Sequence, residues 1–458
     1  MKIRRRAFLS SAALAPIALS SHPAKADGAI RLSAAPTELQ IAPSDYPQTP
    51  VWAYNGSVPG EMLRYRQGEI LNVRLENWLE QETTVHWHGL RLPNAMDGVP
   101  EMTQPPVPPG QGFDYAFTLR DAGTFWYHPH ANSLEQISRG LAGVLVVDEE
   151  TPPEVDADQI LVLDDWRMTQ EAQIDPGFGN RHDMSHAGRL GNYVTINGLP
   201  ELKMQTPPGA RMRLRLVNTA TARIFRLRFQ GLRVWVASLD GMPLDAVLES
   251  KEVVIAPAQR VDLFVDVTAT AGEEALIASV ERDGTYALAI YDISGPETAA
   301  RDTPEPLPPN AMPRVDLGQA RSAAVRIAGG AMRGMPDGAI WQGTRMDMRQ
   351  LAEAGQFWAF NGLAGMSDAP LVEAALGESI RLPITNDTVF AHAMHLHGTH
   401  FREVLPEGGL GPWRDTLLVD RGETREITFV ADNPGDWMFH CHMPAHQMSG
   451  MMNWIRVS

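Results

Sequence analysis

The chain has 458 residues, enough for several domains, and its 44% hydrophobic and 21% charged content is that of a globular protein rather than a disordered one. Net charge is −16, and residues 27–458 alone carry 34 Lys and Arg against 55 Asp and Glu, a net of −21; so acidic a surface repels phosphate backbones and excludes nucleic acid as a partner. The single cysteine, Cys441, excludes an intramolecular disulfide.

The first element is a leader. Residues 1–26 begin with Arg4-Arg5-Arg6, continue in an apolar run from Ala7 to Leu19 and end in Ala24-Lys25-Ala26, a small-residue cleavage site. Arg5-Arg6-Ala7-Phe8-Leu9 resembles the twin-arginine motif, whose export machinery carries folded proteins; a general secretory leader is the alternative. The expected location is the bacterial periplasm. The apolar run falls short of the roughly 20 residues a spanning helix needs, and no later stretch reaches that length, so stable membrane insertion is not expected.

After the leader the chain reads as short strands between turns. Residues 70–76, 143–147, 159–163, 211–217, 261–267 and 426–430 are apolar or alternating, rich in Val, Ile and Leu, and bounded by Gly, Pro, Asn or Asp. A helical period shows only around Met346–Ala354. Such spacing without αβ alternation predicts an all-β protein of sandwiches. Pro-rich segments at 151–153 and 303–313 divide the chain into units at 27–150, 151–305 and 306–458. Asn55-Gly56, Asn197-Gly198 and Asn361-Gly362 each follow a strand-like run, one per unit, which is compatible with three repeats of one domain type.

Eleven of the 14 histidines fall in four clusters: His86-Trp87-His88, His128-Pro129-His130, His392 to His397 with His400 beyond, and His440-Cys441-His442 with His446. In a strand, residues i and i+2 share a face about 6.6 Å apart, so His-x-His aims two imidazoles at one spot. Imidazoles with one thiolate suit zinc, copper or iron; the histidines are too many for one zinc site. In the last cluster, strand alternation sends Cys441 to one face and His440 and His442 to the other. Cys441 then meets His446 and His392 in a His₂Cys blue-copper set with methionines nearby, while the opposite face serves a second metal centre.

These residues resemble the multicopper oxidases, the family of laccases, ascorbate oxidase and bacterial copper-efflux oxidases. The resemblance rests on HWHG at 86–89, YHPH at 127–130, HAMHLHG at 392–398 and HCHMPAHQMSGMM at 440–452. It also covers DGVP at 97–100 and APAQRVDLFVD at 256–266. It implies three consecutive cupredoxin-like Greek-key β-sandwiches and four copper ions. Type 1 copper would take His392, Cys441 and His446 with Met451 axial and Met452 as the nearby rival. Type 2 copper would take His86 and His395. The type 3 pair would take His88, His128, His130, His397, His440 and His442. His182 and His186 are left over in a polar loop and read as solvated; His400 matches no ligand position and reads as structural or surface.

The implied reaction is a relay from a donor through Cys441 to His440 and His442, with four electrons reducing O2 to two waters. Asp97 matches the position of a proton-delivering acid, with a turn aspartate before Gly98 as the alternative. Three departures stand out: Ala393 where the family has Pro, Gln447 where many bacterial relatives carry Glu, and only four methionines, Met332, Met335, Met346 and Met348, where efflux relatives have a dense methionine segment. The leading expectation is a laccase-like enzyme oxidising phenolic or similar small aromatic reductants. The alternative is a metallo-oxidase of copper(I) or manganese(II); a copper-free structural relative is disfavoured because every ligand position is filled.

Overall fold

The computed structural model describes residues 28–458; the leader reading at 1–26 lies outside the described residues. All six apolar runs form strands, and the one helical period gives the short helix Met348–Glu353, capped by Asp347 and Gln350 in a reciprocal box. No helix among the described residues is long and apolar enough to cross a membrane.

The strands pair into three cupredoxin-like sandwiches, each of two facing sheets. The first packs a sheet of Ile30–Leu39, Thr49–Tyr54, Ile70–Asn77 and Gly112–Thr118 against one of Gly60–Arg66, Gly143–Asp148, Gly123–His128 and His86–His88. The second runs from Ala157–Trp166 to Gly284–Ile293, in sheets of six and five strands. In the third, one sheet holds Val372–Ala374, Met452–Val457, Gly435–Cys441, His392–Leu396 and Thr416–Val419.

The faint Asn-Gly echo is a structural repeat. Asn55, Asn197 and Asn361 have φ of 53°, 51° and 51°, and the following glycines 76°, 75° and 76°, the double left-handed bend that Asn-Gly tolerates. Each Asn side chain makes the same pair of bonds to the strand before it. Asn55 accepts from Ser33 N and donates to Arg31 O, Asn197 from Val162 N and to Ile160 O, Asn361 from Arg326 N and to Ala324 O. A second triplet, Asn77, Asn218 and Asn386, ends equivalent strands, each clamping one backbone N–H and at least two carbonyls, three in the case of Asn386. It carries no sequence signature because Asn at a strand end is common.

The sandwiches differ in how they join. Apolar side chains of the first and third, among them Trp87, Tyr115, Trp437 and Phe439, form one contiguous core, whereas the middle sandwich has its own. The middle one meets the first across a mixed seam, in which Trp126, Val144 and Val146 pack on Val162, Val217 and Ala258 beside a row of ion pairs. Arg213 bonds Glu149 at 2.8 Å and Asp262 at 2.6 Å, Arg215 bonds Asp158 at 2.8 Å, and Arg64 bonds Asp148 at 2.8 Å and Asp158 at 2.7 Å. The first and third sandwiches thus close on each other, and the histidine strands lie along that junction.

Candidate metal centre

Strand pairing assembles the histidines. His86 lies opposite His128 across one ladder, and His395 opposite His440 across another. Alternation along His392–Leu396 turns His392 and His395 to opposite faces, and along Gly435–Cys441 it does the same to Cys441 and His440. Two centres result. One holds His392, Cys441 and His446; the other holds His88, His128 and His442, His130, His397 and His440, and His86 and His395 beside His88. All are buried, and ligand atoms within each group of three lie within 4.8 Å of one another.

The ring nitrogens show what the larger centre is built for. His86 Nδ1 donates to the Asp97 carbonyl at 2.8 Å, His395 Nδ1 to the Asp415 carbonyl at 2.9 Å, His128 Nδ1 to Pro129 O at 2.9 Å and His440 Nδ1 to Cys441 O at 2.9 Å. His397 Nδ1 donates to the Asp97 carboxylate at 2.8 Å. Each of these rings therefore presents Nε2 as a bare lone pair. Those of His86 and His395 have no partner; those of His397 and His440 face each other at 3.1 Å, and His128 Nε2 faces His442 Nε2 at 3.2 Å. His88 is reversed: Nε2 donates to Asp415 at 3.1 Å and the unpartnered atom is Nδ1. Buried lone pairs that face one another repel unless a cation lies between them, so the donor set fits bound metal.

Electrostatics agree. Burial, with neighbouring imidazoles adding to it, holds the pKa of His88, His128, His130, His397, His440 and His442 well below the ordinary histidine range, so each ring is neutral. Two buried carboxylates stand behind the rings. Asp97 bonds His397, and its second oxygen accepts no hydrogen bond but lies 3.3 Å from His86 Nδ1. It precedes Gly98, whose φ is +82° and where a Cβ would lie 1.9 Å from Val85 O, so the turn admits no side chain.

Asp415 bonds His88 and is gripped by both Arg260 amino groups at 2.9 and 2.6 Å. Burial alone would raise its pKa, but the Arg260 guanidinium holds it well below the usual carboxylate range. Neither Asp415 nor Arg260 was a candidate from the sequence. Arg260 lies in the conspicuous APAQRVDLFVD stretch, yet only the fold brings the middle sandwich to the histidines. The glycine of HWHG shows how tight this is: a Cβ on Gly89 would meet Arg260 at 2.2 Å and Asp415 at 2.6 Å.

The smaller centre is softer. His392 Nδ1 and His446 Nδ1 lie 3.2 Å apart and 3.9 and 3.7 Å from Cys441 Sγ. Burial pushes the Cys441 thiol up to about 12, so it stays protonated until a metal displaces the proton. The outer nitrogens are tied down: His392 Nε2 donates to Thr388 Oγ1 at 3.0 Å and His446 Nε2 to the His186 carbonyl at 2.7 Å. Trp358 packs on both rings. Met451 is buried and joined through its backbone to Cys441 and His446, while Met452 lines a cavity on the other side of the strand. That cavity, of about 590 Å³, lies between the first and third sandwiches; His130, Gln447, Met438, Glu101 and Asp368 also line it.

Three further histidines lie outside the two centres. His400 is buried, the structural rather than the surface alternative; neither ring nitrogen makes a hydrogen bond, Nε2 lies 3.8 Å from Asp415, and burial lowers its pKa to about 4. His182 and His186 are not in a loop: His182 lies within the helix Arg181–Ser185 and His186 caps its C-terminus, the two rings stacked 4.1 Å apart and 9° from parallel. Of the methionine segment, Met335 is packed in a small core with Leu351 and Ala359, whereas Met332 and Met348 are exposed.

Comparison with known proteins agrees with this geometry. Three family models described as multicopper oxidase match residues 36–152, 157–294 and 342–458. A curated relative, multicopper oxidase MmcO of Mycobacterium tuberculosis, is 31% identical over 428 residues, 87% of this chain and 81% of that one. Among solved structures, Lac15 from a marine microbial metagenome is 39% identical with a TM-score of 0.76, covering 93% of this chain and all of that one. A multicopper oxidase from Pseudomonas thermotolerans is 33% identical with a TM-score of 0.82, covering 93% and 98%.

Proposed function

Because the chain belongs to the multicopper oxidase family, a copper oxidoreductase using O2, we propose that it is laccase-like and takes electrons singly from a small phenolic or similar aromatic donor. The observation that carries this reading is one shared strand end. Cys441 of the His392–Cys441–His446 centre is bonded in sequence to His440 and His442 of the eight-histidine centre. A one-electron site and a multi-electron site are thus joined by two short covalent paths.

In this reading His392, Cys441 and His446 would hold a type 1 copper with Met451 alongside, and His86 and His395 would hold type 2. His88, His128 and His442 would hold one ion of the type 3 pair, and His130, His397 and His440 the other. Copper in these places supplies single-electron acceptance at Cys441 and four-electron reduction of O2 to two waters at the cluster. Asp97 and Asp415 orient His397 and His88 through hydrogen bonds, and Asp97, whose second oxygen lies 3.3 Å from His86 Nδ1, is the carboxylate beside the cluster that would relay protons to it. The cavity beside His130 is the route for O2 and water. An aromatic donor finds Phe390 and the His186 ring at the rim of the smaller centre.

A reduced metal ion is the second reading of the donor, favoured by the His182–His186 pair and exposed Met332 beside the smaller centre. The twin-arginine leader further supports export of the folded protein to the periplasm, and the domain divisions at residues 150 and 305 complete the proposal.

Oxygen uptake by the copper-loaded enzyme tests the donor. Fast turnover of a dimethoxyphenol, independent of added copper, supports the phenolic reading; preference for a stabilised copper(I) complex replaces it with the second.

A further inference from the structure

We infer that His182 and His186 form a binding site for a copper(I) donor ion directly outside the type 1 position, and that the His186 carbonyl carries its electron inward. This rests on the metal-ion reading of the donor. The two imidazoles stack with ring centres 4.1 Å apart on the outer side of the Arg181–Ser185 turn, where the spacing i, i+4 places them on one face. The His182 side chain is 77% exposed, so the pair is open to an ion arriving from solvent. His186 is already in the ligating tautomer: Nδ1 bonds the His182 carbonyl at 3.0 Å, which can only accept, and leaves Nε2 with a free lone pair. Rotation of the exposed His182 ring brings a second nitrogen to the same ion.

The neighbourhood suits a soft cation. Ala331 donates its backbone N–H to Ser185 O at 2.8 Å, so Met332, the next residue and 72% exposed, follows directly on this turn and brings a soft thioether to its neighbourhood. The surrounding protein carries a large net negative charge, which draws cations to it.

The pair is wired to the inner centre by one residue. The carbonyl of His186 accepts the 2.7 Å hydrogen bond from His446 Nε2. His446 is fully buried, so this carbonyl, not solvent, is what its outer nitrogen touches. A bound copper(I) ion gives up one electron and becomes copper(II). The electron crosses the His186 backbone and the hydrogen bond to His446. Four such ions and four protons account for one O2 reduced to two waters, the acceptor half of the family's reaction.

The test uses the enzyme with all four coppers loaded and silver(I), which matches copper(I) in charge and ligand preference but does not turn over. Calorimetric titration is expected to show one silver(I) ion that His182→Gln and His186→Gln each weaken at least tenfold. The visible absorption of the Cys441 centre should stay as in wild type in both variants, since the 186 carbonyl remains. In the same variants KM for copper(I) rises about tenfold. Silver(I) binding indifferent to both substitutions overturns the site. Binding that depends on the pair, in an enzyme that oxidises copper(I) no faster than solution background, keeps the ion site and overturns its role as donor site, and the metal-ion reading with it.

Discussion

The first and third sandwiches carry every histidine and the cysteine of the two centres, while the middle sandwich, built on the same Asn-Gly turns and strand-end asparagines, carries none. It is nonetheless part of both centres. Arg260 reaches across to Asp415 and so to His88; the His186 carbonyl caps His446. The outer pair share one large apolar core, and the middle one is held to the first sandwich by smaller apolar patches around Trp126 and Trp166 together with buried ion pairs. The contrast teaches how a repeated fold divides labour. Ligands are supplied where strand ends meet strand ends, and the remaining copy becomes the brace that fixes which way those ligands point.

The sharpest break of this contrast is at the outer pair. Cys441→Ser should abolish the intense blue absorption and reduce turnover to background while circular dichroism shows the fold intact. Oxidase activity retained in that variant would contradict the assignment of the smaller centre.

On the brace, Arg260→Met leaves Asp415 as a buried, uncompensated charge. It should cost about 3–5 kcal/mol, as breaking other buried ion pairs does. A fall in the unfolding temperature together with loss of copper from the His88 side of the cluster is expected. A variant with wild-type stability and full copper content would mean that the middle sandwich braces nothing.

Asp97→Asn, within the outer pair, removes the carboxylate that orients His397. A loss of about 10- to 100-fold in cluster metal affinity or activity is expected, the usual cost of removing such a partner. Copper analysis after dialysis, with kcat for a phenol, reads it.

The buried neutral rings predict acid sensitivity. For His400 and His446 the folded pKa is about 4, depressed by burial, against about 6.5 unfolded. A base whose folded pKa lies below its unfolded one binds fewer protons when folded. Its stabilisation is whole above about pH 6.5 and drains as pH falls toward 4, by up to roughly 1.4 kcal/mol per unit and group. The copper-free protein should therefore lose unfolding temperature over that window more steeply than the copper-loaded one, in which His446 is occupied.

The smallest effect tests the likeness of the three sandwiches. Asn55→Ala, Asn197→Ala and Asn361→Ala each remove the same two backbone hydrogen bonds and a residue that tolerates positive φ, and Asn55→Ala also removes an exposed bond to Glu61. Each should cost on the order of 1–2 kcal/mol in chemical denaturation. Three similar values are expected; a much larger one for Asn197 would show the middle sandwich to be built differently.

Much of the molecule was legible before any coordinates. The six strands, the alternation that parts Cys441 from His440 and His442, and the helix near residue 350 all follow from periods of two and 3.6 residues, which are local properties. The histidine motifs are equally local, since His-x-His on a strand commits both rings to one face. What the sequence left open lies across the chain. Which histidines face one another at 3.1 and 3.2 Å, and that His88 turns Nδ1 inward where the others turn Nε2, depends on partners up to 327 residues away. Asp415 and Arg260 look like any strand-flanking acid and base until the middle sandwich closes on the third. His182 and His186 read as loop residues because a single helical turn has no period to detect. Spacing along the chain determined the chemistry of the ligands; the meeting of three sandwiches decided their orientation, their charge partners and the way in, because those are set by contacts between residues the chain itself keeps far apart.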